Sequence, residues 1–300
     1  MPISSITWCC SAWCWPWPIL SGKSARPGPR PEEESVLRIR AFPEPGALPP
    51  EDPGAEGREE ALIQPRRRPG EAEVTPTVVL TFAPPDHGYL CRLATARGKP
   101  RRLWDCTLRE GTWDGVPLTI AAPALGAPYA AMVAERLIAL GARHLFILGW
   151  CGSLCPGSEI GHLFLPVGAL PGDGTSPHYA PNHDIIPADE TLSRLLAEGL
   201  QGVPVPWERG LVWSTDAFYR ETPALIRRCR EQGAKAMDLE LAALLAVARF
   251  RGVRAAGLYI VSDELFSLTW RPGGASPEFR RAREIAARVV LDAAREAHHA

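Results

Sequence analysis

From about residue 74 onward, short apolar runs cut off by Gly, Pro or Asp alternate with helix-forming stretches, and this alternation narrows the possible folds more than any other feature. Val78-Val79-Leu80-Thr81-Phe82 is a β-branched strand signal closed by Pro84-Pro85. Leu118 to Ala121 follows Asp114-Gly115, the signature of a turn before another strand. Pro128 then opens a helix over Tyr129 to Leu140, which Gly141 ends. Further strands are expected at His144 to Leu148, Leu163 to Leu170, Gly210 to Trp213 and Val253 to Val261. Helices are expected at Thr191 to Leu200, Pro223 to Arg230, Met237 to Phe250 and Pro277 to Ala297. The Met237 to Phe250 stretch carries Leu and Ala almost all round, which suits a buried helix. The pattern implies an α/β fold with a largely parallel sheet covered on both faces. Ligands in such sheets bind beyond the carboxyl ends of the strands. Three polar or Gly-rich segments follow expected strands, Gly149–Ser153, Ser214–Tyr219 and Ser262–Glu264, and together they would line one rim.

Composition removes several function classes. The charges nearly cancel, 33 Lys+Arg against 34 Asp+Glu, so no basic excess points to nucleic acid or an anionic membrane surface. Of 31 prolines, 13 fall in residues 1–72, a stretch also rich in Gly, Glu and Arg. Residues 1–57 are expected to be a disordered, Pro-rich leader, and residues 58–300 a single folded domain. Within the leader, residues 8–20 are apolar but too short to span a bilayer. They read either as an unstructured leader or as a Trp patch that touches a membrane. Eight irregularly spaced cysteines fit a reduced, cytoplasmic protein, and no pairing of Cys and His completes a metal site.

Four segments bear chemistry. Asp263 ends the apolar strand Ala255 to Val261; desolvation there would raise its pKa and suit a proton donor, although a turn or N-cap aspartate is common at such a position. Asp238 and Glu240 stand at the expected start of the buried helix, either to complement its dipole or to grip vicinal sugar hydroxyls. Phe218 and Tyr219 follow a strand end, where aromatic rings serve either as core or as a stacking face for a heterocyclic base. The Gly/Pro/Asp/His-rich loop 171–187 is long for a compact domain, which marks it as functional or disordered.

In order, Leu148-Gly149-Trp150-Cys151-Gly152-Ser153-Leu154, Gly174-Thr175-Ser176-Pro177-His178-Tyr179, Ser214-Thr215-Asp216-Ala217-Phe218-Tyr219, Met237-Asp238-Leu239-Glu240 and Val261-Ser262-Asp263 resemble the nucleoside phosphorylase superfamily of uridine phosphorylase, hexameric purine nucleoside phosphorylase and methylthioadenosine nucleosidase. The resemblance covers about residues 74–270. It implies a three-layer α/β/α phosphorylase-type domain with a mostly parallel central mixed sheet, assembled as a homo-oligomer. It implies a nucleoside substrate, no cofactor, and phosphate as a possible co-substrate. By the same resemblance Glu240 would bind the ribose 2′- and 3′-hydroxyls, with Leu239 against the sugar. Phe218, beside Tyr219, would stack on the base, and Asp263 would protonate or hydrogen-bond the leaving base.

The chain departs from that family where phosphate is held. Ala83-Pro84-Pro85-Asp86-His87 replaces the Gly-Asp-Pro-x-Arg loop, Ile147 replaces the strand arginine, Trp150 the hydroxyl residue and Tyr129 the serine of the following helix. Isoleucine and tryptophan supply nothing like an arginine fork for a phosphate dianion, so the phosphate-binding residues are left unassigned. Arg92, Arg101 and Arg102 are the nearby cations, and His87 is the nearest stand-in for the histidine that reaches a neighbour's 5′-hydroxyl. Arg220-Glu221-Thr222 stands where uridine phosphorylases read uracil with Gln-x-Arg. Three activities remain open: phosphorolysis with an altered phosphate site, hydrolysis by water, and nucleoside binding without catalysis.

Overall fold

The computed structural model describes residues 61–298 apart from residue 182. The expected leader, residues 1–57, lies outside the described residues.

Strands β1 (Thr77–Thr81), β4 (Val116–Ala122), β5 (His144–Ser153), β6 (Leu163–Gly172), β8 (Trp207–Thr215), β9 (Ala234–Asp238) and β10 (Arg254–Glu264) form the body of one mixed sheet. Short β2 (Arg101–Leu103), β3 (Cys106–Trp113), β7 (Ile186–Pro187) and β11 (Arg271–Pro272) extend its edges. The turn at Asp114-Gly115 joins β3 and β4 as an antiparallel hairpin, with Gly115 at φ 81° where a side chain would be strained. β1 lies parallel between β4 and the first half of β5.

The far half of the sheet closes on itself. β5 pairs parallel with β10 along its length, β10 antiparallel with β6, β6 parallel with β8, β8 parallel with β9, and β9 returns antiparallel to Gly152 and Ser153 at the end of β5. Five strands thus make a ring, and β5 carries both the ring and the open wing. Strands buried on both faces read as continuous apolar runs, which explains Leu145 to Leu148 and Ala255 to Val261.

The helices form two groups. α1 (Pro84–Leu93) and α3 (Glu190–Gly199) pack on the long C-terminal α6 (Pro277–Glu296), while α2 (Ala127–Ala139) packs on α5 (Leu241–Arg251). α4 (Pro223–Glu231) follows β8 and leans on β9. Caps fix several starts: Asp189, Thr222 and Ser276 side chains accept the N–H groups of Leu192, Leu225 and Phe279. α5 is apolar all round, with Leu241 to Ala248 all buried, as its sequence requires.

Two expectations need correction. Met237 and Asp238 are strand, not helix: β9 runs to Asp238, Glu240 is the N-cap and α5 begins at Leu241. Main-chain pairing with Gly152 and Ser153 wins over helix propensity there. Asp263 does not follow its strand but lies within it, because β10 continues to Glu264 by pairing with β11.

Candidate active site at the rim of the strand ring

Register brings the candidate residues together. Gly152 near the end of β5 pairs with Met237 of β9 on one side and with Asp263 of β10 on the other. Two strand spacings, roughly 9–10 Å, therefore separate Asp263 from the β9–α5 junction that carries Asp238, Leu239 and Glu240. β8 ends beside that junction, with Ser214 paired to Asp238. Phe218 and Tyr219 follow three and four residues after the last residue of β8, in a 3-10 turn over Phe218–Arg220.

Asp238 is the structural centre. Its Oδ1 accepts Ser214 Oγ at 2.6 Å, and its Oδ2 accepts Leu241 N at 2.8 Å, Tyr259 Oη at 2.9 Å and Glu240 N at 3.3 Å. Ser214 Oγ in turn accepts Ala242 N at 2.9 Å. One buried carboxyl thus caps α5, ties it to β8 and β10, and orients the next acidic residue. Burial pushes Asp238 up to about 6, against the pull of its four donors.

Glu240 is buried, and its Oε1 accepts the N–H of Gly126 at 2.6 Å. Gly126, at φ 85°, is the N-cap of α2, so the backbone there turns as only glycine does freely and aims an N–H at the carboxyl. Burial first, and the Asp238 carboxyl second, hold Glu240 well above the ordinary carboxyl range. Leu239 between them is half-buried.

Asp263 accepts Ser262 Oγ at 2.6 Å on Oδ1 and Trp270 Nε1 at 3.0 Å on Oδ2. Burial raises its pKa, while the two donors pull the other way. Trp270 also meets Phe218 edge to face, with centroids 6.4 Å apart, and Phe218 meets Tyr219 likewise at 5.1 Å. Phe218 is 40% exposed and Tyr219 93%, so neither is core, and an aromatic wall stands over Asp263. Glu221, just beyond, is pushed up to about 7 by burial and then by the Asp263 charge.

The positions where the sequence departs from the expected phosphate-binding pattern are filled from within. Trp150 Nε1 donates to Asp86 Oδ2 at 2.7 Å, and the Arg283 guanidinium pairs with Asp86 Oδ1. Arg283 lies over the Trp150 ring, 5.5 Å from its centroid, and Phe279 packs edge-on to that ring. Ile147 is fully buried. Gly149 faces the Tyr259 ring so closely that a Cβ there would come within 2.5 Å of it. Tyr129 Oη accepts Cys106 N at 2.7 Å, bracing the β2–β3 turn.

The other cations noted in the sequence are engaged elsewhere. Arg101 binds the carbonyls of Ala72 and Glu73 and the Glu110 carboxylate, and Arg102 reaches Trp104 O. Arg92 and His87 line a separate groove with Arg97 and Arg109. The loop after β6 is tied down by Asp173 Oδ1, which accepts Thr175 N and Ser176 N, and by Asp216 Oδ2, which accepts Gly174 N. Cys151 and Cys155 are free thiols, and burial pushes both up. Among the described residues no group of three His, Cys, Asp or Glu side chains is placed to hold a metal, and no helix is long and apolar enough to cross a membrane.

Sequence reasoning placed Ser214 on the rim without a role and missed Tyr259, Trp270 and Gly126. A signal for Tyr259 was present: a lone large polar ring in an aliphatic strand, with Cβ-less Gly149 and Gly257 beside it. Trp270 and Gly126 carried no comparable pattern.

Comparison with known proteins gives a consistent result. Residues 78–297 match the family model described as phosphorylase superfamily. The chain is 29% identical over 157 residues to the guanosine phosphorylase of Halorubrum lacusprofundi, covering 52% of this chain and 65% of that one. The chain thus spans just under two thirds of that relative's length. It is also 29% identical over 198 residues to the uridine phosphorylase of Thermococcus kodakarensis, covering 56% of this chain and 71% of that one. In three dimensions it resembles the uridine phosphorylase of Vibrio fischeri, with a TM-score of 0.68 at 22% identity, covering 75% of this chain and 95% of that one.

Proposed function

The chain belongs to the phosphorylase superfamily, and on that premise we propose that it cleaves the N-glycosidic bond of a nucleoside at the rim of the strand ring. The observation that carries this reading is the register that pairs Gly152 with Asp263 on one side and, on the other, with Met237, three residues before Glu240. It supports a carboxyl for the sugar and a carboxyl for the base at one rim.

Glu240 takes the ribose 2′- and 3′-hydroxyls, oriented by Gly126 N–H and by the cap that Asp238 makes, and Leu239 lies against the sugar. The base rests on the Phe218 and Tyr219 wall. As the C1′–N bond breaks, its electron pair moves to the base, which Asp263 stabilises by donating a proton or a hydrogen bond. The sugar becomes oxocarbenium-like, and the negative charge shared by Asp238 and Glu240 favours that state in a water-poor site. C1′ then takes an oxygen from the nucleophile. In phosphorolysis that oxygen belongs to phosphate, and the products are the free base and a pentose 1-phosphate.

One observation favours a second reading, in which water is the nucleophile. Trp150, at the hydroxyl position, donates to Asp86, whose charge is taken up by Arg283, and Ile147, at the strand-arginine position, is fully buried, so neither position offers a free cation or hydroxyl to a phosphate. Exposed apolar side chains beside the site, Leu125, Phe218 and Trp270, suit a protein that works as a homo-oligomer.

The sugar role is tested by titrating nucleoside into Glu240→Ala by calorimetry. The expected result is a normally folded protein whose affinity is at least about tenfold weaker, one charge-assisted contact being lost. Glu240→Gln, which keeps an acceptor for Gly126 N–H, serves if the alanine variant does not fold. Unchanged affinity in a folded variant rejects the assignment.

A further inference from the structure

We propose that the groove between α1 and β3 is an anion site, distinct from the rim, that takes a diphosphate group, free or carried on a nucleotide. The groove has a volume of about 420 Å³, and three arginines line it: Arg92 from α1, Arg97 from the segment that follows α1, and Arg109 from β3. His87 and Cys91 of α1 complete that wall, and no acidic side chain lines the groove. Arg109 donates to Gly98 O at 2.9 Å, and the Arg92 guanidinium lies over the Tyr89 ring, 5.5 Å from its centroid. These contacts hold two guanidinium groups in place and leave their charges uncompensated. Among the described residues none of the three arginines pairs with a carboxylate. Burial first, and then the Arg109 charge, hold His87 below the ordinary histidine range. Burial raises the Cys91 thiol, against the pull of Arg109 and Arg92.

The groove is preformed. The segment that carries Arg97 is fixed to both walls, Ala96 N donating to Cys91 O at 2.9 Å and Thr112 N to Ala94 O at 2.7 Å. Gly111 permits that approach, since a Cβ there would come within 2.4 Å of Ala94 O. Thr95 is held at φ 46°, a left-handed conformation that a β-branched residue rarely adopts. His87 Nε2 is enclosed and has no hydrogen-bond partner, although buried polar atoms normally find one. Three guanidinium groups around one volume exceed what a single phosphate dianion neutralises and match the about three negative charges of a diphosphate. The groove also turns away from the rim. Asp86 faces Trp150 and Arg283, whereas His87, the next residue, lines the groove with Arg109. Arg109 shares a register line with Ile120, Val79 and Phe146, three strands across. Its backbone therefore lies roughly 14 Å across the sheet and roughly 20 Å along it from Gly152.

The test titrates inorganic pyrophosphate and ADP, separately and at low ionic strength, into wild type and an Arg92→Gln/Arg97→Gln double variant by calorimetry. Wild type should bind pyrophosphate at one equivalent per chain. The double variant should bind it at least about tenfold more weakly, two charge-assisted contacts being lost. Arg92 and Arg97 are exposed, so the variant should melt as wild type does; if it does not fold, Arg92→Gln alone is read in its place. ADP that binds more tightly than pyrophosphate identifies a nucleotide as the ligand, and ADP that binds no more tightly identifies the free diphosphate. No binding of either probe to wild type, or undiminished affinity in the folded variant, overturns the site. The pyrophosphate titration uses no nucleoside, so its result stands whether or not the rim cleaves one. Base release by the double variant should match that of wild type.

Discussion

Tyr259→Phe deletes one oxygen from the network that orients the site. The ring stays packed against Gly149 and Gly257, so the loss is the hydrogen bond from Tyr259 Oη to Asp238 Oδ2 at 2.9 Å. Asp238 is fully enclosed, and a hydrogen bond to a charged group is worth about 1.5–3 kcal/mol, against about 1 kcal/mol for a neutral pair. Its folded pKa lies near 6, raised from 3.8. Ionisation is therefore disfavoured by folding, and this carboxyl contributes less stability as pH rises from about 4 through 6. The tyrosine O–H opposes that rise, so removing it lifts the Asp238 pKa further. The cost of the substitution must then grow with pH, from about 1 kcal/mol at pH 5 to about 1.5–3 kcal/mol at pH 8. For a domain of this size that is a drop of about 2–4 °C in Tm at pH 5 and about 3–12 °C at pH 8. Urea unfolding of both proteins at the two pH values measures it. Equal costs at pH 5 and 8, or less than about 0.5 kcal/mol at pH 8, the range of inert surface changes, would refute the view that Asp238 is an anion held by Tyr259.

Two further outcomes are expected. Phe218→Ala should weaken nucleoside binding by about 1–3 kcal/mol, the value of a base stacked on an aromatic ring, and an unchanged dissociation constant from calorimetry assigns the ring to packing. Asp263→Asn should lower turnover by about 10²–10⁴ with little change in melting temperature; a variant that keeps most of the activity returns Asp263 to a structural role held by Ser262 and Trp270.

Much of this was legible in the sequence, and the gaps have physical causes. Doubly buried strands such as β5 and β10 announce themselves by unbroken apolar runs. β3 hides its strand character behind Arg109 and Glu110, which sit on an edge hairpin where only part of each side chain is covered. α1 hides behind Pro84-Pro85, which read as a strand stop and in fact occupies the first helical turn, where proline costs nothing. β9, Ala234–Asp238, has only two alanines and a methionine as apolar side chains, none β-branched, and is a strand because β5 and β8 flank it, so its pairing partners decide what local propensity leaves open. At the site, Glu240, Asp263 and Phe218 were visible by type and order. The contacts that hold them were not, because Ser214, Tyr259 and Gly126 reach Asp238 and Glu240 across 24, 21 and 114 residues of sequence. Side chains that meet only through strand register leave no local pattern.

The most direct test of the account is release of free base from a nucleoside panel, run with and without phosphate. The account predicts base released by the wild-type protein from at least one nucleoside, with loss of that release in Asp263→Asn. Release that requires phosphate identifies phosphate as the nucleophile, and release without it identifies water. A folded protein that binds nucleosides in calorimetry but frees no base under either condition would contradict cleavage of the N-glycosidic bond and leave a nucleoside-binding protein built on the same rim.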